Sequence, residues 1–407
     1  MPNLRGLAGG RLPTLAANGT LLVSGMLSSV CVSRALAPAG RGEYVTWQAW
    51  GAGVAILAIG GLPQALVLNR RRRPPPIGPA LTSTLVAALV VVVVLTVLLR
   101  PPPLLVLATV LVVVANQAGA IGPALAQWAG RMGTRFNLAR LAPQLAALVA
   151  IAALLVAGDR VAAHWLVAVA GCQAAVAVAW AAVALRRASA AHRAGKSGRH
   201  DGTRLRTQTW DLFPANFATQ VQYRFDLIAV AALFPHTTVA FYAVGVAAQA
   251  AVLAMGQASG MYRFANRSGA SQGLRHELRH AVTFAGLAAV PLAASSVLWV
   301  PAAYGSAFAP AGLVVTVLCV AGVAQSVDYL LVHEVLRRRG AGALLRGRIP
   351  GLVTVVAGFL LARWLALPVA VLGLAPLAGY AVASVAFLRA LGHRVPGVRA
   401  PEPVGVE

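Results

Sequence analysis

Apolar residues run along this chain in twelve long stretches. They lie at approximately 14–36, 44–68, 78–99, 104–127, 141–157, 161–185, 210–234, 238–262, 281–303, 311–332, 349–365 and 368–388, each 17 to 25 residues long. A bilayer core about 30 Å thick takes roughly 20 apolar residues of helix to cross. The pattern therefore predicts an all-α integral membrane protein of about twelve transmembrane helices.

The polar positions between the stretches are not evenly charged. Of 34 lysines and arginines, 28 fall at the termini and in the even-numbered gaps, among them Arg70 to Arg73, the segment Arg186 to Arg206, and Arg337 to Arg348. Five fall in the odd-numbered gaps: Arg34, Arg41, Arg100, Arg160 and Arg363. By the positive-inside rule both termini are expected on the cytoplasmic side of the cell membrane. A net charge of +24 and a pI near 11.8 thus have a topological cause and call for no nucleic acid. Anionic inner-leaflet lipid is a sufficient partner for them. Cys31, Cys172 and Cys319 all sit in apolar stretches, and an odd count there speaks against a disulfide framework. Arg5, Arg11 and Ala35-Leu36-Ala37 imitate a cleavable signal, but the apolar run is longer than a signal core and is expected to remain as the first span.

The long hydrophilic segment divides the chain into a six-helix lobe at 1–187, a flexible cytoplasmic linker at 188–206 and a second six-helix lobe at 207–407. The halves resemble each other. Ala35-Leu36-Ala37-Pro38 closes span one with Tyr44 beyond it, and Ala232-Leu233-Phe234-Pro235 closes span seven with Tyr242 beyond it. Asn69-Arg70 and Asn266-Arg267 follow those tyrosines at similar distances. Six spans per half give both halves one orientation, so the expected pseudo-twofold lies along the membrane normal, with a substrate site at the lobe interface. Gly60-Gly61-Leu62-Pro63 breaks the inner end of span two, as a hinge or as a fraying terminus.

Ionisable residues at membrane depth are costly and mark function by default. Away from the edges the chain has Arg224 and Asp226 in span seven, Asp328 in span ten and His164 in span six. At about 1.5 Å per residue, Arg224 lies about 16 Å from Pro235 and about 21 Å from Trp210, too deep to snorkel comfortably. On a helical wheel Asn216, Thr219, Gln220, Tyr223 and Asp226 share a sector of about 120° with Arg224 at its border, a stripe that must face protein or water. Arg224 and Asp226 are two residues apart and cannot face each other. Each contacts a ligand or pairs elsewhere, and Asp328 is the available partner for Arg224, or a coupling acid. Span one carries a milder stripe, Asn18, Gly25, Ser28, Ser29 and Ser33, that suits helix packing as well as a cavity. Arg34 lies off that stripe, where it would anchor at the outer interface. No carboxylate falls in any span of the first lobe, so the cavity reads as neutral to positive and suited to an anion.

Motifs for other chemistry fail on context. His276-Glu277-Leu278-Arg279-His280 has the H-E-x-x-H spacing, but Arg275 and Arg279 crowd it with positive charge and no third ligand is evident. Ala194-Gly195-Lys196-Ser197 lacks the rest of a P-loop. No catalytic constellation, metal site or cofactor is expected, and the outer gaps are too short for a catalytic loop.

Ser33-Arg34-Ala35-Leu36-Ala37-Pro38-Ala39-Gly40-Arg41-Gly42-Glu43-Tyr44 resembles the span one to two signature of polysaccharide flippases in the multidrug/oligosaccharidyl-lipid/polysaccharide (MOP) exporter superfamily. Tyr223-Arg224-Phe225-Asp226 is similar to their span seven, and Tyr304-Gly305-Ser306-Ala307-Phe308-Ala309-Pro310-Ala311 to the turn before their span ten. The resemblance covers essentially the whole chain and departs in having one clearly deep arginine rather than several. It implies export of a polyprenyl-diphosphate-linked oligosaccharide by alternating access, with a glycan polymerase or glycosyltransferases as pathway partners. Arg224 would then contact the head group, and Asn216, Gln220, Tyr223 and Asp226 would line its path. The rival within the superfamily is a cation-coupled multidrug exporter, using Asp226 and Asp328.

Overall fold

The computed structural model describes residues 11–68, 77–128, 134–194, 200–265 and 274–392. Asn69-Arg70 and Asn266-Arg267 of the internal repeat, Arg5, Arg71 to Arg73 and Lys196 with the rest of 195–199 lie outside them, as does the side chain of Asn18. The described residues are helical nearly throughout and contain no strand.

The first lobe comprises α1 (Arg11–Ile59), α2 (Leu62–Leu68), α3 (Gly78–Leu99), α4 (Pro103–Trp128), α5 (Thr134–Ala157) and α6 (Ala162–Ala194). The second comprises α7 (His200–Leu233), α8 (His236–Ala265), α9 (Leu274–Ala294), α10 (Ser296–Tyr304), α11 (Ala311–Arg339), α12 (Ala341–Trp364) and α13 (Leu374–Gly392).

Among the described residues, eight helical segments are long and apolar enough to cross a membrane, and α9 with α10 forms a ninth, bent by 72°. The first of the eight, Gly19–Leu57, has 39 residues and would reach about 58 Å if straight, twice a bilayer core. It breaks at Ala37 (φ 54°, ψ 178°), because Pro38 disfavours helical geometry in the residue before it and offers no amide hydrogen. It is therefore two spans. The apolar core of α3, Leu81–Val97, and the polar helix α7 complete the twelve. α7 is the least apolar of the long helices, and it lies between the lobes, where polar side chains find partners.

Helices extend past the predicted span ends on the arginine-rich side. α6 continues to Ala194 and α7 begins at His200, so most of the segment read as a linker is helix. α12 begins at Ala341, after Gly340 (φ 80°), rather than near 349, which carries Arg346 and Arg348 onto the helix.

At the arginine-poor end, His164 is not at membrane depth. It sits half exposed at the start of α6, with Nδ1 2.8 Å from Asp159 Oδ2, while Asp159 Oδ1 accepts the Val161 amide at 2.7 Å. The Val161 amide first, and His164 second, hold the Asp159 carboxyl below its ordinary 3.8. A depressed folded-state value stabilises above 3.8 and is lost as pH falls through the lower value. Asp159→Asn should flatten that acid limb in melting temperature plotted against pH; an unchanged profile would remove this link from acid stability.

Candidate functional site

The polar stripe of α7 does not line one surface; packing divides it between the two lobes. Toward the second lobe go Gln222, Tyr223 and Asp226. Arg348 of α12, fully buried, donates from Nη1 to Asp328 Oδ1 at 2.7 Å and to Gln222 Oε1 at 2.8 Å, and from Nη2 to the Tyr223 hydroxyl at 3.1 Å. That hydroxyl donates to Asp328 Oδ2 at 3.2 Å, and the guanidinium stacks 5.0 Å from the Tyr223 ring and 5.2 Å from the Phe387 ring. Asp328 is thus the partner of Arg348 and not of Arg224. The earlier count of Arg348 as a loop charge is corrected with it. Gly340 reverses the chain between them, and Asp328 lies twelve residues before it and Arg348 eight after, which puts both at similar depth on neighbouring antiparallel helices. Their positions on either side of that reversal were the available signal, with the long arginine side chain spanning the four-residue difference.

Asp226, 2 % exposed, accepts the Tyr242 hydroxyl at 3.1 Å and the Leu227 amide at 2.7 Å. No Lys or Arg nitrogen lies within 4 Å of it among the described residues. Tyr223 and Asp226, predicted to line a ligand path, are therefore engaged inside their own lobe.

Toward the first lobe go Asn216, Gln220, Arg224 and Ile228. Asn216 Nδ2 donates to the Gly60 carbonyl, and Gly61 packs on Thr209 so tightly that a β-carbon there would lie 2.4 Å from the Thr209 carbonyl oxygen. Near mid-membrane Gly53 meets Ile228, whose Cδ1 would stand 2.9 Å from an added β-carbon. The break at Gly60 is thus a packed contact between lobes.

Between these two contacts the face of α7 turns through about 120° from Asn216 by way of Gln220 and Arg224 to Ile228. Gln220 is half-buried. Arg224 is exposed, and it makes no hydrogen bond or ion pair with another described residue. A guanidinium this far from either end of its helix, and free of a carboxylate among the described residues, can take an anion or a polar head group.

The lobes also meet at the arginine-poor end. Arg34 donates from Nε to the Ala303 carbonyl and from Nη2 to the Ala302 carbonyl, each at 2.6 Å, capping two acceptors that the end of α10 leaves unpaired. It bridges lobes, a role beyond the interface anchor expected of it. Thr46 Oγ1 lies 3.2 Å from His236 Nδ1, and Gly42 rests on the His236 backbone. Arg41, counted as an outer-loop charge, is buried there instead.

His276 and His280 face each other, Nε2 to Nε2 at 2.9 Å, and no group of three or more His, Cys, Asp or Glu side chains converges among the described residues.

No sequence family matches the chain, and no curated protein does either. Solved structures do. The lipid II flippase MurJ in an inward closed conformation aligns over 93% of this chain and 87% of its own, with a TM-score of 0.65 at 8% identity. An inward-facing multidrug-resistance MATE transporter of the MOP superfamily aligns over 94% of both chains, with a TM-score of 0.51 at 14% identity. A mutant of the Vibrio cholerae MATE transporter VcmN covers 94% of this chain and 95% of its own, with a TM-score of 0.53 at 12% identity. The chain has the fold of the MOP exporter superfamily: all-α, twelve membrane-crossing segments in two six-helix lobes. It is a multi-pass membrane protein with the architecture of transporters and flippases.

Proposed function

We propose that this protein is a flippase that carries a polyprenyl-diphosphate-linked oligosaccharide from the cytoplasmic to the outer leaflet for cell-surface polysaccharide synthesis, and is not an enzyme. The carrying observation is Arg224, a guanidinium far from either end of α7, without a partner among the described residues, on the α7 face between two tight contacts with the first lobe. A diphosphate cannot cross hydrocarbon, and Arg224 with Gln220 offers it one cation and one amide beside the floor that Asn216 closes. The basic gaps orient the chain with both termini and the Asn216 end in the cytoplasm, and with Arg34 and Arg41 outside. Each negative charge moved outward gains about 2.3 kcal/mol per 100 mV, so the membrane potential favours export.

In reconstituted vesicles, Arg224→Ala should lower lipid-diphosphate translocation by about tenfold to a hundredfold, the worth of one or two charge-assisted hydrogen bonds. Arg224→Lys should retain part of it. Full activity in Arg224→Ala, at normal membrane insertion, would remove the reading.

Cation-coupled drug export is a second reading, supported by Asp226, which is buried without a cationic partner. With Asp328 taken by Arg348, Asp226 is what remains of the two coupling acids that reading names. Drug efflux lost in Asp226→Asn and indifferent to glycan-lipid supply would favour it.

A further inference from the structure

At the arginine-poor end lies a cationic cluster that the proposed transport does not use. Arg41, 7% exposed, donates from Nη2 to Ser29 Oγ at 3.2 Å, and the Tyr304 hydroxyl donates to the same oxygen at 3.3 Å. The guanidinium lies 5.4 Å over the Tyr44 ring, a contact that keeps it charged without neutralising it. Its Nε is buried with no acceptor. Ser33, one turn beyond Ser29 on the same face of α1, is 1% exposed, and its hydroxyl also lacks a partner. No described carboxylate lies within 4 Å of Arg41; Glu43, two residues away, makes no ion pair with it.

A buried charge without counter-charge is strongly unfavourable, and buried polar groups are nearly always satisfied. Here an unpaired guanidinium nitrogen and an unpaired hydroxyl occur together, beside a serine that already receives two donors. The free capacity is a guanidinium N–H, which can only donate, and a hydroxyl, which can donate as well as accept. With the guanidinium's positive charge at its centre, that set matches an anion and no cation.

We propose that Arg41, Ser29, Ser33 and Tyr304 form a binding site for a small anion, a halide or a phosphate oxygen, where the two lobes meet at the arginine-poor end. Three of the four groups come from the first lobe and Tyr304 from the second. The complete site exists only when this end is closed, so the anion stabilises closure by its preference for that state.

The test uses the purified full-length protein in detergent, with melting temperature followed as sodium gluconate is replaced by sodium chloride or sodium phosphate at constant ionic strength. A ligand that binds only the folded state raises the melting temperature in a saturable way. Wild type should show that rise with chloride, with phosphate, or with both, the active salt naming the anion. Arg41→Gln should abolish it, and Arg100→Gln, which alters an exposed arginine at the same end, should keep it. Should Arg41→Gln fail to fold, the double variant Ser29→Ala, Ser33→Ala keeps the cation and should raise the half-saturating concentration by about tenfold. A bromide-soaked crystal should show its anomalous peak within hydrogen-bond reach of the Arg41 guanidinium. No saturable rise in wild type, an equal rise in Arg41→Gln, or bromide only at other positions would overturn the site and leave a general salt effect. None of these readouts involves transport, so they stand or fall apart from the flippase reading.

Discussion

Replacing Arg348 by methionine is expected to destabilise the protein by about 3–5 kcal/mol, the usual cost of leaving one half of a buried ion pair behind. Asp328 is fully buried, and its remaining contact would be the hydroxyl of Tyr223. Gln222 would also lose the donor to its Oε1. Against a typical stability of about 5–15 kcal/mol, that loss is large enough to lower the amount of folded protein in the membrane. Asp328→Leu should be about as harmful, because it strands the guanidinium instead. Combining Arg348→Met with Asp328→Leu should recover much of the loss, since an apolar pair of similar volume needs no compensation. Equilibrium unfolding of the three variants in micelles gives the coupling directly. If each single change costs under about 1 kcal/mol, the cluster is not the clasp that joins α7, α11 and α12.

The second large effect concerns which end of the molecule opens. A β-carbon at Gly42 would lie 1.7 Å from the His236 carbonyl oxygen, and one at Gly61 would lie 2.4 Å from that of Thr209. Both obstacles are backbone atoms, which cannot rotate aside as a side chain can. Both glycines belong to the first lobe and both obstacles to the second, so relief comes from parting the lobes. Gly42→Ala should therefore open the arginine-poor end, and Gly61→Ala the arginine-rich end. Each should shift the population by more than tenfold, equivalent to about 1.4 kcal/mol. Paired spin labels across each end, read as distance distributions, would show opposite shifts in the two variants. Identical distributions in both would mean that the closures yield by local bending.

Much of this was readable from the chain. The twelve apolar stretches specify the spans, because bilayer thickness fixes their length. The repeat at Pro38 and Pro235 was readable too. In each half a proline ends one helix and a buried tyrosine follows, Tyr44 under Arg41 and Tyr242 on Asp226. Arg224 stood out because no distance along its helix reaches a surface.

Other features could not be read in this way. His164 looked deep because the apolar run around it is continuous, yet the helix begins only at Ala162 and leaves it at the surface. Arg348 looked like a loop charge because it closes a basic run, and only the early start of α12 takes it inside. The α7 stripe looked single, since a helical wheel gives angles but not neighbours. Hydropathy and spacing are properties of one segment, and they determined that the chain crosses a membrane, where it crosses, and which charges are out of place. Whether such a charge is neutralised depends on which atoms of other helices come within about 3 Å of it. Only the packing of the two lobes decided that Asp328 belongs to Arg348, that Tyr223 and Asp226 turn inward, and that Arg224 and Arg41 are left without an acid among the described residues.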